Sequence, residues 1–154
     1  MEPADSMQSL PATMQPLPAT LKPLPATLKP LPATLKPLPA LKDASGLYDF
    51  QVHQYHAERP GFRITEIELS QKQQVPWHYH NHVQDTFYVL AGEMRLFLQN
   101  PKQEVRLAPG ETFSAAALRP HLVTNGGTGP MRFLVLQGLG EYDYVPLVPP
   151  KSRA

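Results

Sequence analysis

Two prolines in every seven residues decide what the start of this chain can fold into. The heptad Leu-Pro-Ala-Thr-Leu-Lys-Pro begins at Leu17, Leu24 and Leu31, and a shortened copy runs from Leu38 to Lys42. Residues 1–42 thereby hold ten of the nineteen prolines. Proline fixes its own φ, lacks an N–H, and pushes the preceding residue toward extended backbone. A continuous helix is excluded, and a central strand would lose ladder donors. The expected state of 1–42 is a disordered or polyproline-II tail of low complexity. Its prolines never stand three apart, so the repeat does not make the Pro-x-x-Pro pattern of groove ligands.

Residues 43–154 must therefore supply the fold, with a domain start near Asp43 or Tyr48. Short apolar runs alternate with turn residues, the pattern of an all-β sandwich or barrel. Strands are expected at 48–55, 63–69, 76–80, 86–90, 94–99, 104–107, 112–115, 121–124 and 131–137. Turn residues lie between them at Ala91-Gly92-Glu93, Asn100-Pro101-Lys102, Pro109-Gly110 and Asn125-Gly126-Gly127. Period-two alternation turns Asp85, Phe87 and Val89 to one face, and Met94, Leu96 and Leu98 likewise. His121, Val123 and Asn125 share a face, as do Met131, Phe133, Val135 and Gln137. All four sets are expected to point into the barrel. The last strand is also apolar on its other face, at Leu134 and Leu136, which predicts a homodimer packed through that sheet.

Composition removes several functions. The net charge of +1 gives no general attraction to nucleic acid or acidic membranes. Without cysteine there are no disulfides, thiolate nucleophiles or Cys-ligated zinc. No apolar run approaches the roughly 20 residues that span a bilayer. Met1 to Asp5 lack the basic start of a signal peptide. The expectation is a cytoplasmic protein with no membrane or nucleic-acid partner.

Four residues carry the chemistry. His78 and His80 lie two apart on an expected strand and so project from one side. Asp85 follows five residues later, and His121 sits on a segment that can fold back beside them. Three imidazoles and a carboxylate suit one divalent transition metal: Fe, Mn, Ni, Zn or Cu. Asp85 either binds that metal or acts as a base beside it. Gln84 competes with Asp85, but its alternation turns it to the opposite face. Lining the expected pocket are His82, Phe87, Val89, Met94, Leu96, Phe133 and Val135. His53 and His56 receive no role. Trp77 and Tyr79 are expected on the outer face, and Asn125 is read as a turn residue.

These residues resemble the cupin superfamily, RmlC-like double-stranded β-helix or jelly-roll proteins. The first cupin motif places His-x-His before a Glu and then, six residues on, a Gly. Here His78-Tyr79-His80 is followed by Asp85 and Gly92. The second motif runs Gly, five residues, Pro-x-Gly, two residues, His, three residues, Asn. Here Gly110 leads without a gap to His121 and Asn125, with Ala116 and Leu118 where Pro and Gly stand. Lys72 replaces the opening glycine, and Asp85 the usual Glu. The looser turn at 116–118 is expected to shift His121 slightly.

The resemblance implies a cupin barrel and a metal site that leaves positions open for a small-molecule substrate. A metal-dependent enzyme on a small oxo or hydroxy compound follows, of isomerase or lyase type, or a dioxygenase. The alternative is a non-catalytic small-molecule-binding or sensing cupin. Regulators of that kind carry helices ahead of the barrel, which the proline repeat cannot form. Pro146-x-x-Pro149 is read as part of a frayed terminus.

Overall fold

The computed structural model describes residues 35–148. Most of the proline repeat lies outside the described residues, together with the expectation of a disordered or polyproline-II tail. Eleven strands and no helix occur among the described residues. They are β1 (Lys36–Pro37), β2 (Val52–Arg59), β3 (Phe62–Leu69), β4 (Gln74–Tyr79), β5 (Gln84–Ala91), β6 (Met94–Leu98), β7 (Gln103–Leu107), β8 (Thr112–Ala115), β9 (His121–Asn125), β10 (Met131–Gly138) and β11 (Val145–Val148). Two antiparallel sheets result, in the orders β1-β11-β4-β9-β6-β7 and β2-β3-β10-β5-β8.

The alternation sets the core. Phe87, Val89, Phe133, Val135 and Leu69 are buried from one sheet, and Met94, Leu96, Leu98 and Val123 from the other. Gln137 and Asp85 are buried in the same inward rows. Asn125 is half-buried at the end of β9. Its side chain accepts from Gly127 N at 2.9 Å and donates to the Leu69 and Gly129 carbonyls, as a turn residue should.

Three expectations are corrected. Paired structure begins before Asp43: β1 pairs with β11 through Lys36↔Val148 and Pro37↔Leu147. Leu41 and Tyr144 then exchange two backbone hydrogen bonds of 2.8 Å. Proline is admitted there because β1 is an edge strand, where one side of the ladder needs no donor. The strand expected at 48–55 runs instead from Val52 to Arg59, with a bulge between Tyr55 and Ala57. The C-terminal segment expected to fray forms β11, whose Pro146 lies opposite His78.

Two glycine-type positions carry backbone demands. Gly92 has φ +79°, and a Cβ there would come within 2.6 Å of the Pro130 carbonyl oxygen. Leu118 has φ +67°. It occupies the second-motif position where glycine normally supplies that left-handed conformation. Leu118 N donates to the His80 carbonyl at 2.7 Å, which ties this turn to the end of β4.

Candidate metal centre

The site joins the two sheets. His78 on β4 stands opposite His121 on β9. His80 follows the end of β4, and Asp85 comes from β5 in the facing sheet. The five-residue step from His80 to Asp85 is thus the chain crossing between sheets. β4 carries a register shift between Val75 and His78. Pro76 sits in it, where a missing N–H costs the ladder nothing.

All four side chains are buried, and one ligand atom from each lies within 4.8 Å of the others. Their orientation is fixed from behind. His78 Nδ1 donates to the Pro76 carbonyl at 2.7 Å, and His121 Nδ1 to the Arg119 carbonyl at 2.9 Å. His80 Nδ1 donates to the Asp143 carbonyl. A carbonyl oxygen only accepts, so each Nδ1 bears the hydrogen and each neutral ring turns an Nε2 lone pair inward. Asp85 Oδ2 lies 2.9 Å from Nε2 of His80 and of His121, and 3.6 Å from that of His78. Gln137 Nε2 donates to the other carboxylate oxygen, Oδ1, at 2.7 Å.

Lone pairs so arranged require positive charge among them. Protons meet that need unevenly. Burial, reinforced by the neighbouring His121 and His80, pushes His78 down to about 3. Burial also works against charge on His80, but the Asp85 carboxylate overrides it and raises His80. Burial alone would raise Asp85; the charge on His80, with the His121 and His78 imidazoles beside it, holds it well below the usual carboxylate range. A divalent cation would satisfy all four atoms together. Carbonyl-anchored histidines and an amide-anchored carboxylate are the usual support for such an ion.

The cluster opens onto a cavity with about 40 Å³ of free volume. Of the residues expected to line a pocket, Phe87, Phe133 and Val135 do so. Val89, Met94 and Leu96 do not; each is fully buried in the core, further along its strand. His82 is absent from this wall and borders a separate depression with Leu41, Lys42 and Glu141. Trp77 and Tyr79 are half-buried and lie off the cavity.

The expected apolar wall is in fact half polar. Arg63, His53, Tyr48, Tyr55, Tyr142, Tyr144 and Gln137 complete it. Tyr144 stacks on His78 with ring centroids 4.2 Å apart and planes 12° apart. Asp143 binds the chain beyond His80, accepting from Asn81 N at 2.8 Å and Nδ2 at 2.6 Å. Burial raises the Tyr142 and Tyr144 hydroxyls, and the Asp85 charge adds to it. The alternation Tyr142-x-Tyr144 was the available signal for an inward pair; it lay beyond the last expected strand, 131–137.

Together these features define a double-stranded β-helix protein with a buried three-histidine, one-aspartate cluster between its sheets. Residues 65–137 match the family model described as Cupin domain. No curated protein matches the chain. Among solved structures, a conserved protein with a double-stranded β-helix domain from Klebsiella pneumoniae is 21% identical with a TM-score of 0.56, over 68% of this chain and 88% of that one. An RmlC-like cupin family protein from Methanocaldococcus jannaschii is 21% identical with a TM-score of 0.53, over 62% and 91%. An oxalate oxidase is 18% identical with a TM-score of 0.52, over 56% and 46%. These likenesses bear on the fold.

Proposed function

We propose that this cupin is a metal-dependent enzyme acting on a small oxo or hydroxy compound. The observation that carries the reading is the set of three inward Nε2 lone pairs, each fixed by an Nδ1 hydrogen bond to a carbonyl, around Asp85 Oδ2. His78, His80, Asp85 and His121 would hold the ion. When bound, it would supply Lewis acidity toward a carbonyl or carboxylate oxygen, or, as Fe(II), dioxygen chemistry. Four ligands on a six-coordinate ion leave positions for substrate.

The protein's own residues complete the reading. Gln137 fixes Oδ1 of Asp85 and so decides which oxygen faces the imidazoles. Phe87, Phe133 and Val135 wall the site against bulk water, and Tyr144 packs flat on His78 to hold its plane. Isomerase or lyase chemistry and dioxygenase chemistry both fit this frame.

Elemental analysis of untagged protein, wild type beside His80→Ala, tests the reading. About one equivalent of a transition metal in the wild type, lost in the variant, is expected. No metal in either after reconstitution sinks the enzyme and leaves the alternative, a small-molecule-binding barrel. Oxygen uptake by the Fe(II) form then separates dioxygenase from isomerase or lyase.

A further inference from the structure

Arg63 is the cationic side chain lining the cavity beside the candidate metal site. It stands on β3 opposite Gln137 of β10, which stands opposite Asp85 of β5. Directly opposed residues of antiparallel strands project to one face. Arg63, Gln137 and Asp85 therefore form one inward row, two strand spacings or about 10 Å long at the backbone. Gln137 is engaged with Asp85. Among the described residues Arg63 has no such partner.

Among the described residues no carboxylate lies within ion-pair range of Arg63. Glu58 is opposite it on β2, but exposed and out of reach. Asp43, at the cavity rim, is exposed and accepts from Ser45 N instead. Among the described residues, Arg63 Nε is buried with no hydrogen-bond partner. Leaving a charged donor buried and unpaired is costly, so such a group calls for an acceptor. The guanidinium carbon lies 3.9 Å from the centre of the Tyr142 ring and 4.5 Å from that of Tyr55. Cation–π contacts of this kind engage the flat faces of a guanidinium and leave its N–H edge for a ligand.

We propose that Arg63 binds the carboxylate of the substrate, so that the substrate class is a small carboxylic acid. Its oxo or hydroxy end would then point along the row toward His78, His80, Asp85 and His121. This assignment rests on the metal-site reading above. The planar edge of a guanidinium matches a carboxylate bidentately. The small cavity favours a short acid over an extended chain.

Calorimetric titration of the full-length, Mn(II)-loaded protein provides the test, with glycolate, pyruvate and 2-oxobutyrate against their neutral amides. Metal content is measured separately on each sample, so failure of the metal site is seen independently of failure at Arg63. The acid is expected to bind roughly 10- to 100-fold tighter than its amide, with the preference lost in Arg63→Gln and partly kept in Arg63→Lys. Melting curves of both variants show that the fold is retained. Equal binding of acid and amide overturns the proposal. So does undiminished acid binding by Arg63→Gln, or no binding by any acid at concentrations on the order of 10 mM. Inorganic phosphate displacing the acids at equal concentration, in an Arg63-dependent way, would move the class to phosphates and also overturn it.

Discussion

The ionisation of single residues in the cluster makes stability depend on pH in the metal-free protein. His78 is buried neutral, with its pKa at about 3 against an ordinary 6.5. Between those values the unfolded chain binds a proton that the folded chain refuses, so acidification favours unfolding. His80 has the opposite sign. Its contribution is full below about 6.5 and is lost as pH rises through its raised pKa. Asp85 contributes above the ordinary carboxylate range and loses that share only as pH falls through its depressed value. The denaturation midpoint is therefore expected to fall between pH 6.5 and pH 4, with a shallower fall in His78→Gln. An unchanged slope in the variant would remove His78 from the account. Two backbone positions give a second test. Leu118 is 62% exposed in a left-handed conformation, so Leu118→Gly should gain about 0.5–1 kcal/mol. Gly92→Ala should lose more than about 1 kcal/mol, because its Cβ meets the Pro130 carbonyl at positive φ. Chemical denaturation of both variants reads these shifts, and a destabilised Leu118→Gly would contradict the first.

Among the elements, β1 and β11 were the ones that sequence patterning left out. Strand signals depend on alternation and on available donors, and a proline-rich edge provides neither. Lys36–Pro37 can be a strand only because β11 offers an edge beside it, and no local window contains that fact. The central strands were legible for the opposite reason. His121, Val123, Met131, Phe133, Val135 and Gln137 each alternate with residues that are less buried, so facing followed from position. The His78, His80, Asp85 and His121 cluster was legible because its spacing resembles the two cupin motifs. The polar half of the cavity was not, since Arg63, Tyr55 and Tyr142 come from separate elements that meet only in the fold. The edge pairing also makes a prediction. Leu38 N donates to the Pro146 carbonyl of β11, and Leu41 exchanges two backbone hydrogen bonds with Tyr144 just ahead of it. Removing residues 1–42 should cost about 2–3 kcal/mol and loosen Tyr144 over His78. Removing only residues 1–34 should leave the unfolding midpoint near that of the full chain. Equal midpoints for both truncations would show that β1 adds nothing.

For the whole molecule, the outer face of the β2–β3–β10–β5–β8 sheet carries an apolar strip through Ile64, Leu136, Leu134, Tyr88 and Leu90, bordered by Glu66, Glu68 and Arg132. Leu134 pairs with Tyr88, and Leu136 with Ile64. Tyr88 and Leu90 are 38% and 39% exposed. We propose that a second copy covers this face, as Leu134 and Leu136 suggested from the sequence. Light scattering should return twice the 17.2 kDa of the chain, and Leu134→Glu should return it to one copy. A monomeric wild type at micromolar concentration would end that proposal. The pairing of β1 with β11 reaches beyond the folded state, to how the gene can change. Among the described residues, the end of the third copy supplies the strand that pairs with β11, and the shortened copy continues that edge. Replication slippage that adds or deletes whole upstream heptads leaves Lys36–Lys42 intact in composition and order. The length of this tail can therefore drift between lineages while the barrel keeps the same edge strand.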